Sequence, residues 1–591
     1  MLALLAAGVL SGETVSQAIS EDVFVPELPG SGLWCGPSQP PARLPLLLAQ
    51  TKATEVSPAG AAAASKAAPA VDAEAPLMKG LGTHVYRVTT SSREAQRYFD
   101  QGLRLAWGFN HAEALRAFRK AQRLDPQCAM CFWGEAYALG PNINVPMDEK
   151  AIAPAVAAAT KARALASQAK PHEQALIEAI AMRYSADPKA ERAKLDAAYA
   201  EAMKRAAANF PQDVDVAAIY AEALMVLSPW DYWEPGGARL KLTVAELVET
   251  LERVLQKDPQ HVGAIHLYIH TVEASNDAKR AEPYADRLAK LAPGAGHLVH
   301  MPAHIYYRIG RYKDSLATNR VAVRVDEEYI RRFRPEGVYP LAYYPHNVHF
   351  VMASAQMSGE GPTVIEAAKK LGNVISDEAA RAVLLMQPVK AAPYFAHAQF
   401  GDAASVMSLA DPGADFPYIR ATWRYARGIV QAQKGDVAAA AKELAELETI
   451  ATAADFTAFE SWNIPAKEVS IIAAHVLRAR IAQAKKDLDG AVRELEAAVA
   501  LQDKLPYMEP PYWYYPVRQT LGGVLALKGE HQRARDVFRE SLQKTPNNGW
   551  ALYGLAQTYA RQGMKREAAA VEKHLARAWS GDRKRLDLAR L

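Results

Sequence analysis

The stretch from Ala95 to Pro126, AQRYFDQGLRLAWGFNHAEALRAFRKAQRLDP, decides the fold of this chain. In its second half Ala114, Phe118 and Ala121 recur at helical spacing, and the proline closes the unit. Small residues at such positions let two helices approach closely, and proline stops the second helix. The stretch therefore predicts a helix–turn–helix unit.

The same arrangement returns along the chain, so the unit is an internal repeat. Clear later copies centre on Gly310, Gly435 and Gly563, whereas the copies in residues 150–241 are degenerate. Helix pairs repeated in this way stack into a solenoid, with each pair contacting its neighbours. We expect an all-α fold, a superhelical solenoid of about ten repeats, some of them degenerate.

The repeats resemble the tetratricopeptide-repeat (TPR) family, in which a unit spans about 34 residues. The resemblance implies a concave groove lined by the first helix of each pair. It also implies that the second, fifth, ninth and twelfth positions of a repeat point into that groove. Such a groove usually binds a peptide or another protein, which is the default function for a chain of this kind.

Composition excludes two classes of partner. The 591 residues carry 69 basic and 65 acidic side chains, for a net charge of +4, without a basic stripe. Nucleic acid is therefore not an expected partner. No apolar run approaches the roughly 20 residues that a membrane helix needs, so we expect no transmembrane segment.

The N-terminal part reads differently from the repeats. It opens with MLALLAAGVLSG, a short apolar stretch without a basic region, and continues into an Ala/Pro-rich linker over residues 51–79. We expect residues 1–79 to be a mostly disordered leader and linker, and residues 80–591 to form the repeat array. The apolar start favours a periplasmic or secreted protein, with a cytoplasmic location as the alternative.

Histidines concentrate in three consecutive repeats. Seven of the 15 lie between Ile265 and Phe350, in AIHLYIHTVEAS, GHLVHMPAHIYYRIGRY and YYPHNVHF. Other residues, such as Gly310 and Tyr312, set the repeat frame independently of them. In that frame the seven histidines and one acidic residue take groove-facing positions: His266, His270, Glu273, His297, His300, His304, His346 and His349.

Imidazoles that converge on one point favour a transition metal, here Cu, Zn or Fe. Neighbouring first helices pack about 8–10 Å apart, and pairs four residues apart, such as His266 and His270, chelate from one helix face. Glu273 supplies an oxygen ligand or a general base. The sequence thus predicts a metal or small-ligand site within residues 263–349. This site would be a metalloenzyme centre if one coordination position of the ion stays open. The sequence does not decide whether the chain is an enzyme.

A metal-free interpretation stays open beside this one. Neutral histidines, together with Tyr306, Tyr307 and Asn347, would hydrogen-bond a small molecule or a peptide in the groove. The chain would then be a protein–protein interaction scaffold. The loop LSPWDYWEPGG over residues 227–237 carries Trp230 and Trp233, and forms either a lid on the groove or a satellite hydrophobic cluster.

Two further stretches carry candidate chemistry. Cys128 and Cys131 form a CxxC pair at a predicted helix start. Three interpretations of the pair stay open: two ligands for a soft metal, a labile disulfide, or two inert small residues. No histidine follows the second cysteine, so the c-type haem motif is absent. The stretch YMEPPYWYYP, residues 507–516, either binds a peptide or fills one end of the groove.

Several of these segments resemble a bacterial group of long TPR proteins that are often exported. The segments include CAMCFWGEAYALGPNIN, HLYIHTVEAS and GHLVHMPAHIYYRIGRY, and the resemblance spans residues 84–359. It implies that the histidine segment is a feature of the group. It supplies no reaction, so no catalytic role is carried over.

Overall fold

The chain is an all-α solenoid of helix pairs, as the repeat pattern predicts. The computed structural model describes residues 75–187 and 189–591. Within that part the only extended pairing is a single bridge between Trp233 and Leu240. In the described residues no helix combines the length and apolar character needed to cross a membrane. The predicted all-helical repeat fold is confirmed.

The helices of the first half are α1 (Arg93–Trp107), α2 (His111–Leu124), α3 (Ala129–Ala138), α4 (Glu149–Leu165), α5 (Pro171–Met182), α6 (Arg192–Asn209), α7 (Val214–Leu227), α8 (Ala245–Lys257), α9 (Val262–Val272), α10 (Glu282–Leu291), α11 (Gly296–His300), α12 (Pro302–Arg308), α13 (Tyr312–Phe333) and α14 (Tyr344–Ser358). Those of the second half are α15 (Gly361–Val374), α16 (Asp377–Ala382), α17 (Met386–Phe400), α18 (Ala403–Met407), α19 (Pro417–Gln433), α20 (Val437–Ala453), α21 (Thr457–Ser461), α22 (Ala466–Ala484), α23 (Leu488–Gln502), α24 (Val517–Lys528), α25 (His531–Lys544), α26 (Gly549–Arg561) and α27 (Lys565–Ala578).

The first repeat shows why the pairs form. The Ser92 hydroxyl caps α1 by accepting from the Ala95 amide at 3.1 Å, and Asn110 caps α2. Phe118 of α2 is fully buried. A Cβ at Gly102 or Gly134 would come within 2.7 or 2.3 Å of its ring. Glycine at these two positions lets α1 and α3 close on α2.

The solenoid winds back on itself. Each helix packs chiefly on its neighbours in the chain, yet residues roughly one superhelical turn apart also touch. Asn144 donates to the Tyr343 hydroxyl across 199 positions, and the Trp550 indole donates to the Gln356 carbonyl across 194. The inner face of the array is therefore closed over part of its length.

The N-terminal segment of the described part lies along the inner face of α1. The Gln101 side chain accepts from the Met78 amide at 2.7 Å and donates to the Pro76 carbonyl at 3.0 Å. Arg104 donates to the His84 carbonyl. The predicted leader therefore overlaps the described part only at residues 75–79; residues 1–74 lie outside it. The division into leader and array stays a prediction.

Candidate metal centre

The clustered histidines come from the three first helices that the repeat frame indicates. His266 and His270 stand four residues apart on α9, so they share one helix face. His300 ends α11 and His304 lies in α12, on either side of a break at Met301–Pro302. His346 lies in α14. The periodicity of each helix aims its imidazoles toward the same side of the array.

Three imidazoles form a first triad: His266, His270 and His297. Their ligand atoms lie within 4.8 Å of one another, and Nε2 of His266 is 3.1 Å from Nε2 of His297. Nδ1 of His266 is 2.5 Å from the Trp107 carbonyl, which can only accept. The proton therefore sits on Nδ1, and Nε2 presents its lone pair to the centre of the triad.

A close approach of two helices makes this contact with Trp107. A Cβ at Gly263 would lie 2.6 Å from the Trp107 indole, so only glycine lets the end of α1 reach α9. Phe109, just beyond α1, packs on the triad with its ring centroid 4.4 Å from that of His266. Trp230 meets His270 edge-on at 5.0 Å. Aromatic rings thus wall the triad.

A second triad consists of His300, His304 and His346. Nε2 of His304 is 2.8 Å from Nε2 of His300 and 3.5 Å from Nε2 of His346. Nδ1 of His300 donates to Oδ1 of Asn319 at 2.6 Å. The Asn319 amide is oriented in turn by donating to the Ser315 carbonyl at 2.7 Å. His300 therefore also presents the lone pair of Nε2.

One carboxylate connects the two triads. Oε1 of Glu273 accepts from Nδ1 of His270 at 2.9 Å, and Oε2 accepts from Nδ1 of His304. Burial opposes its ionisation, but the facing His304 and His270 outweigh it and lower the pKa of Glu273 to about 2. This carboxylate lies behind the imidazoles, on their Nδ1 side, where it fixes their orientation. Glu273 is predicted as a metal ligand, and with His304 and Glu509 it also forms a group that could hold a metal ion.

Most of the cluster is electrically neutral. Burial lowers the pKa of five of the six imidazoles: His266, His270, His297, His300 and His346. Burial also disfavours the charged form of His304, but the Glu273 and Glu509 carboxylates overcome it and raise its pKa to about 10. In the metal-free protein His304 is therefore the charged imidazole, and the others are free bases able to bind a metal ion.

The connector over residues 507–516 closes the site from the far end of the chain. Oε2 of Glu509 lies 3.2 Å from Nδ1 of His304, and its side chain is only 3% exposed. Burial raises the pKa of Glu509. The Tyr507 hydroxyl donates to Glu273 at 3.3 Å. The sequence left open whether this connector binds a peptide or fills one end of the groove, and in the structure it fills the groove.

The winding of the array and this connector bury the histidines, except that His346 stays partly exposed. Exposure is 0% at His266 and 4% at His304. The open groove expected at this place is therefore absent, because elements far away in the chain cover it. His349 leaves the cluster altogether: its Nε2 lies 2.7 Å from the Tyr514 hydroxyl, and burial lowers its pKa to about 3.

The predicted ligand-binding residues make contacts within the chain, although the buried Tyr307 hydroxyl has no hydrogen-bond partner. The Tyr306 hydroxyl donates to Asp286 at 2.8 Å, away from the triads. Tyr307 packs between Tyr312 and Phe350. The Asn347 amide donates to Asp326 at 2.6 Å, and the Trp233 indole donates to the Thr271 carbonyl at 2.7 Å. Of this group only Trp230, described above, touches a histidine of the triads.

The cysteine pair is separate from the histidines. Cys128 and Cys131 form a disulfide, and both are fully buried. Cys128 also caps α3. Of the three interpretations left open by the sequence, the structure has the disulfide, whose sulfurs are not available as a thiolate pair for a metal.

A third cluster, formed by His84, Asp215 and His261, differs from the two triads in the position of its imidazole protons. Oδ1 of Asp215 lies 2.8 Å from Nε2 of His84 and 3.4 Å from Nε2 of His261. Nδ1 of His261 accepts from the Ala264 amide at 3.0 Å, so its proton sits on Nε2 and faces the carboxylate. This cluster holds the N-terminal segment against α7 and α9. Its three side chains also form a group that could hold a metal ion, although Nε2 of His261 carries a proton rather than a free lone pair.

Sequence reasoning missed several residues of the site. Trp107, Asn319 and Glu509 contact its imidazoles, and none lies in the histidine-rich segments. The one available signal was for Glu509, because it lies within the aromatic, proline-rich stretch noted above. Nothing in the sequence distinguishes the other two from ordinary groove residues.

Comparison with known proteins identifies the repeat near the C-terminus. A sequence model of the tetratricopeptide repeat matches residues 525–584, which contain α25 to α27. No curated protein matches the chain. Repeat arrays of this kind offer extended binding surfaces and commonly serve as protein–protein interaction scaffolds.

Three solved structures match most of the chain at low similarity. The human IFIT1 dimer with m7Gppp-AAAA has a TM-score of 0.30 and 11% identity, covering 83% of this chain and 91% of its own. The APC/C hetero-tetramer Cut9-Hcn1 has a TM-score of 0.28 and 11% identity, and the match covers 84% of this chain and 89% of its own. Yeast Tom70 has a TM-score of 0.25 and 15% identity, and the match covers 82% of this chain and 91% of its own. Likenesses this low carry no argument about what the chain binds.

Proposed function

We propose that this chain is a repeat protein that binds transition-metal ions through the two histidine triads. The repeat array then serves to bring imidazoles from three consecutive helix pairs to one buried place. Three imidazoles for each ion leave a coordination position open, as in catalytic rather than structural metal sites. This supports a metalloenzyme, whose reaction the site does not name.

One observation carries the proposal. In four of the six imidazoles Nδ1 faces an acceptor: the Trp107 carbonyl, Asn319, or one of the two oxygens of Glu273. Metal-bound histidines have this pattern, because the second-shell partner fixes the tautomer and directs Nε2 at the ion. Nε2 of His270 is buried without a hydrogen-bond partner. A bound ion or water would supply the missing partner of such a buried polar atom.

The spacing also suits a metal. Within the triads the contacting Nε2 atoms lie 2.8, 3.1 and 3.5 Å apart. Two nitrogens bound at about 2.0–2.1 Å to a tetrahedral ion lie roughly 3.3 Å from each other. Donors made of imidazole alone suit Cu, Zn and Fe, and affinity rises from Fe to Cu. We therefore expect copper or zinc to bind most tightly.

Elemental mass spectrometry on protein purified without a histidine tag tests the proposal. The protein as isolated, or after reconstitution with Cu, Zn and Fe in turn, should hold a stoichiometric ion. The double variant His300→Ala/His304→Ala should bind less, whereas His475→Ala should match the wild type, since His475 pairs with Glu494 on distant helices. A wild-type protein that retains none of the three metals overturns the proposal.

A second candidate is a protein-interaction scaffold, which the matched repeat at residues 525–584 favours. The inner face of α1 already holds an extended segment of the chain itself through Gln101 and Arg104, as a peptide groove would. Binding of a partner protein at equal affinity by the wild type and His300→Ala/His304→Ala supports this function. A wild type that holds stoichiometric metal and binds no partner protein contradicts it.

A further inference from the structure

We infer that the histidine cluster is a paired centre for two metal ions, one in each triad, held as neighbours by Glu273. The inference rests on the proposed metal binding and adds to it the number of ions and their coupling. The sequence frame alone predicts seven histidines on one groove face and does not distinguish one site from two.

The imidazole donors divide into two sets of three, and a further group of Glu273, His304 and Glu509 shares only His304 with them. The ligand atoms of His266, His270 and His297 lie within 4.8 Å of one another, and those of the second triad form a separate group of the same size. The six donors thus do not make one six-coordinate ion. Each set has three imidazoles, which is a sufficient donor number for one copper or zinc ion.

The two sets are immediate neighbours. The ring centroids of His270 and His304, one from each triad, are 5.6 Å apart. Those of His297 and His300 are 5.9 Å apart. Ions bound by the two triads would therefore occupy neighbouring positions.

Glu273 contacts one histidine of each triad. It is 1% exposed, and each of its oxygens accepts from a histidine of a different triad. Two cations in a buried pocket repel each other, and a buried carboxylate between their ligands offsets part of that repulsion. Glu509 brings a second carboxylate to the same side of His304. We take Glu273 as a positioning residue shared by both ions.

Aromatic side chains contact both triads. Phe109 faces the first triad, and Phe350 faces the second with its ring 4.8 Å from that of His300. Imidazole donors bind copper, which has the highest affinity among the divalent first-row metals. Copper is therefore the probe for the pair.

The experiment counts copper in the full-length protein after loading and removal of excess metal. The wild type should hold two ions per chain. The variants His270→Ala and His346→Ala, each of which damages one triad, should keep about one. His349→Phe is the matched control, because this histidine pairs with Tyr514 outside both triads, and it should keep two. Circular dichroism checks that each variant is folded.

A measurement on the wild type alone covers the case in which a variant fails to fold. Electron paramagnetic resonance of the oxidised copper protein should give dipolar broadening or a half-field signal, because the two ions lie close together. Two full, uncoupled spins overturn the pairing. One ion in the wild type, lost from both variants, overturns the inference but leaves metal binding intact. No ion at all overturns both.

Discussion

Replacing Glu273 by glutamine should weaken metal binding without unfolding the protein. The carboxylate is buried and accepts three hydrogen bonds, from His270, His304 and Tyr507. Glutamine has the same shape but only one acceptor oxygen, and its amide nitrogen donates. One of the two imidazoles must then face an N–H group. Its proton moves to Nε2, and the lone pair that would bind the ion is lost.

The magnitude follows from that loss. Removing a second-shell partner of a metal-bound histidine typically costs about 10- to 100-fold in affinity, or roughly 1.4–2.7 kcal/mol. The shape is conserved, so we expect the helical content to be unchanged. A titration of the metal-free protein with zinc, in competition with a chromophoric chelator, measures the dissociation constants of wild type and Glu273→Gln side by side.

A matched variant isolates the effect of position. Glu494 also faces a histidine Nδ1, that of His475 at 2.7 Å, on helices remote from the triads. Glu494→Gln should therefore bind zinc as the wild type does. If Glu273→Gln binds zinc with wild-type affinity, the carboxylate does not orient the ligands and the reasoning is refuted. An equal loss in both variants would refute it too.

Three further predictions concern stability and the remaining candidate groups. Phe118→Ala should cost about 3–5 kcal/mol in urea unfolding, because the ring is fully buried between three helices; a cost below 1 kcal/mol would contradict that packing. Burial raises the pKa of Asp326 from its ordinary 3.8 to about 7, so the native state holds a proton that the unfolded state releases. Between these values the contribution of Asp326 to the free energy of unfolding should fall by about 1.4 kcal/mol per pH unit as pH rises, and Asp326→Asn should remove this contribution in urea titrations at several pH values. The double variant Cys128→Ser/Cys131→Ser should keep its full metal content by elemental analysis, since the pair is a buried disulfide apart from the histidines; a loss of metal would show that the cysteines contribute.

Local features of the fold were predictable because they depend on short-range spacing. The recurrence of small and apolar residues around Phe118 predicts a helix pair, and the structure has α1 and α2 there. The same periodicity correctly puts His266 and His270 on one face of α9. Helical geometry repeats every 3.6 residues, so neighbours on a face can be read directly from the sequence.

The details of the site were not predictable in this way. His346 and His349 are three residues apart in one helix and look equivalent in sequence, yet one joins a triad and the other pairs with Tyr514. Glu509 reaches His304 from more than 200 positions away. Such contacts depend on how far the array turns before its elements meet, and no local pattern encodes that angle.

The sequence by itself determined that this protein is a helical repeat array with imidazoles gathered on the inner side of three consecutive units. Only the tertiary structure decided that they form two triads, that Glu273 joins them from behind, and that aromatic rings and a distant connector bury them. The physical reason is that a helix fixes the direction of its own side chains, whereas the partner of each ring nitrogen is set by packing between helices. That packing also governs which nitrogen keeps its proton, and so which atoms are left to bind a metal.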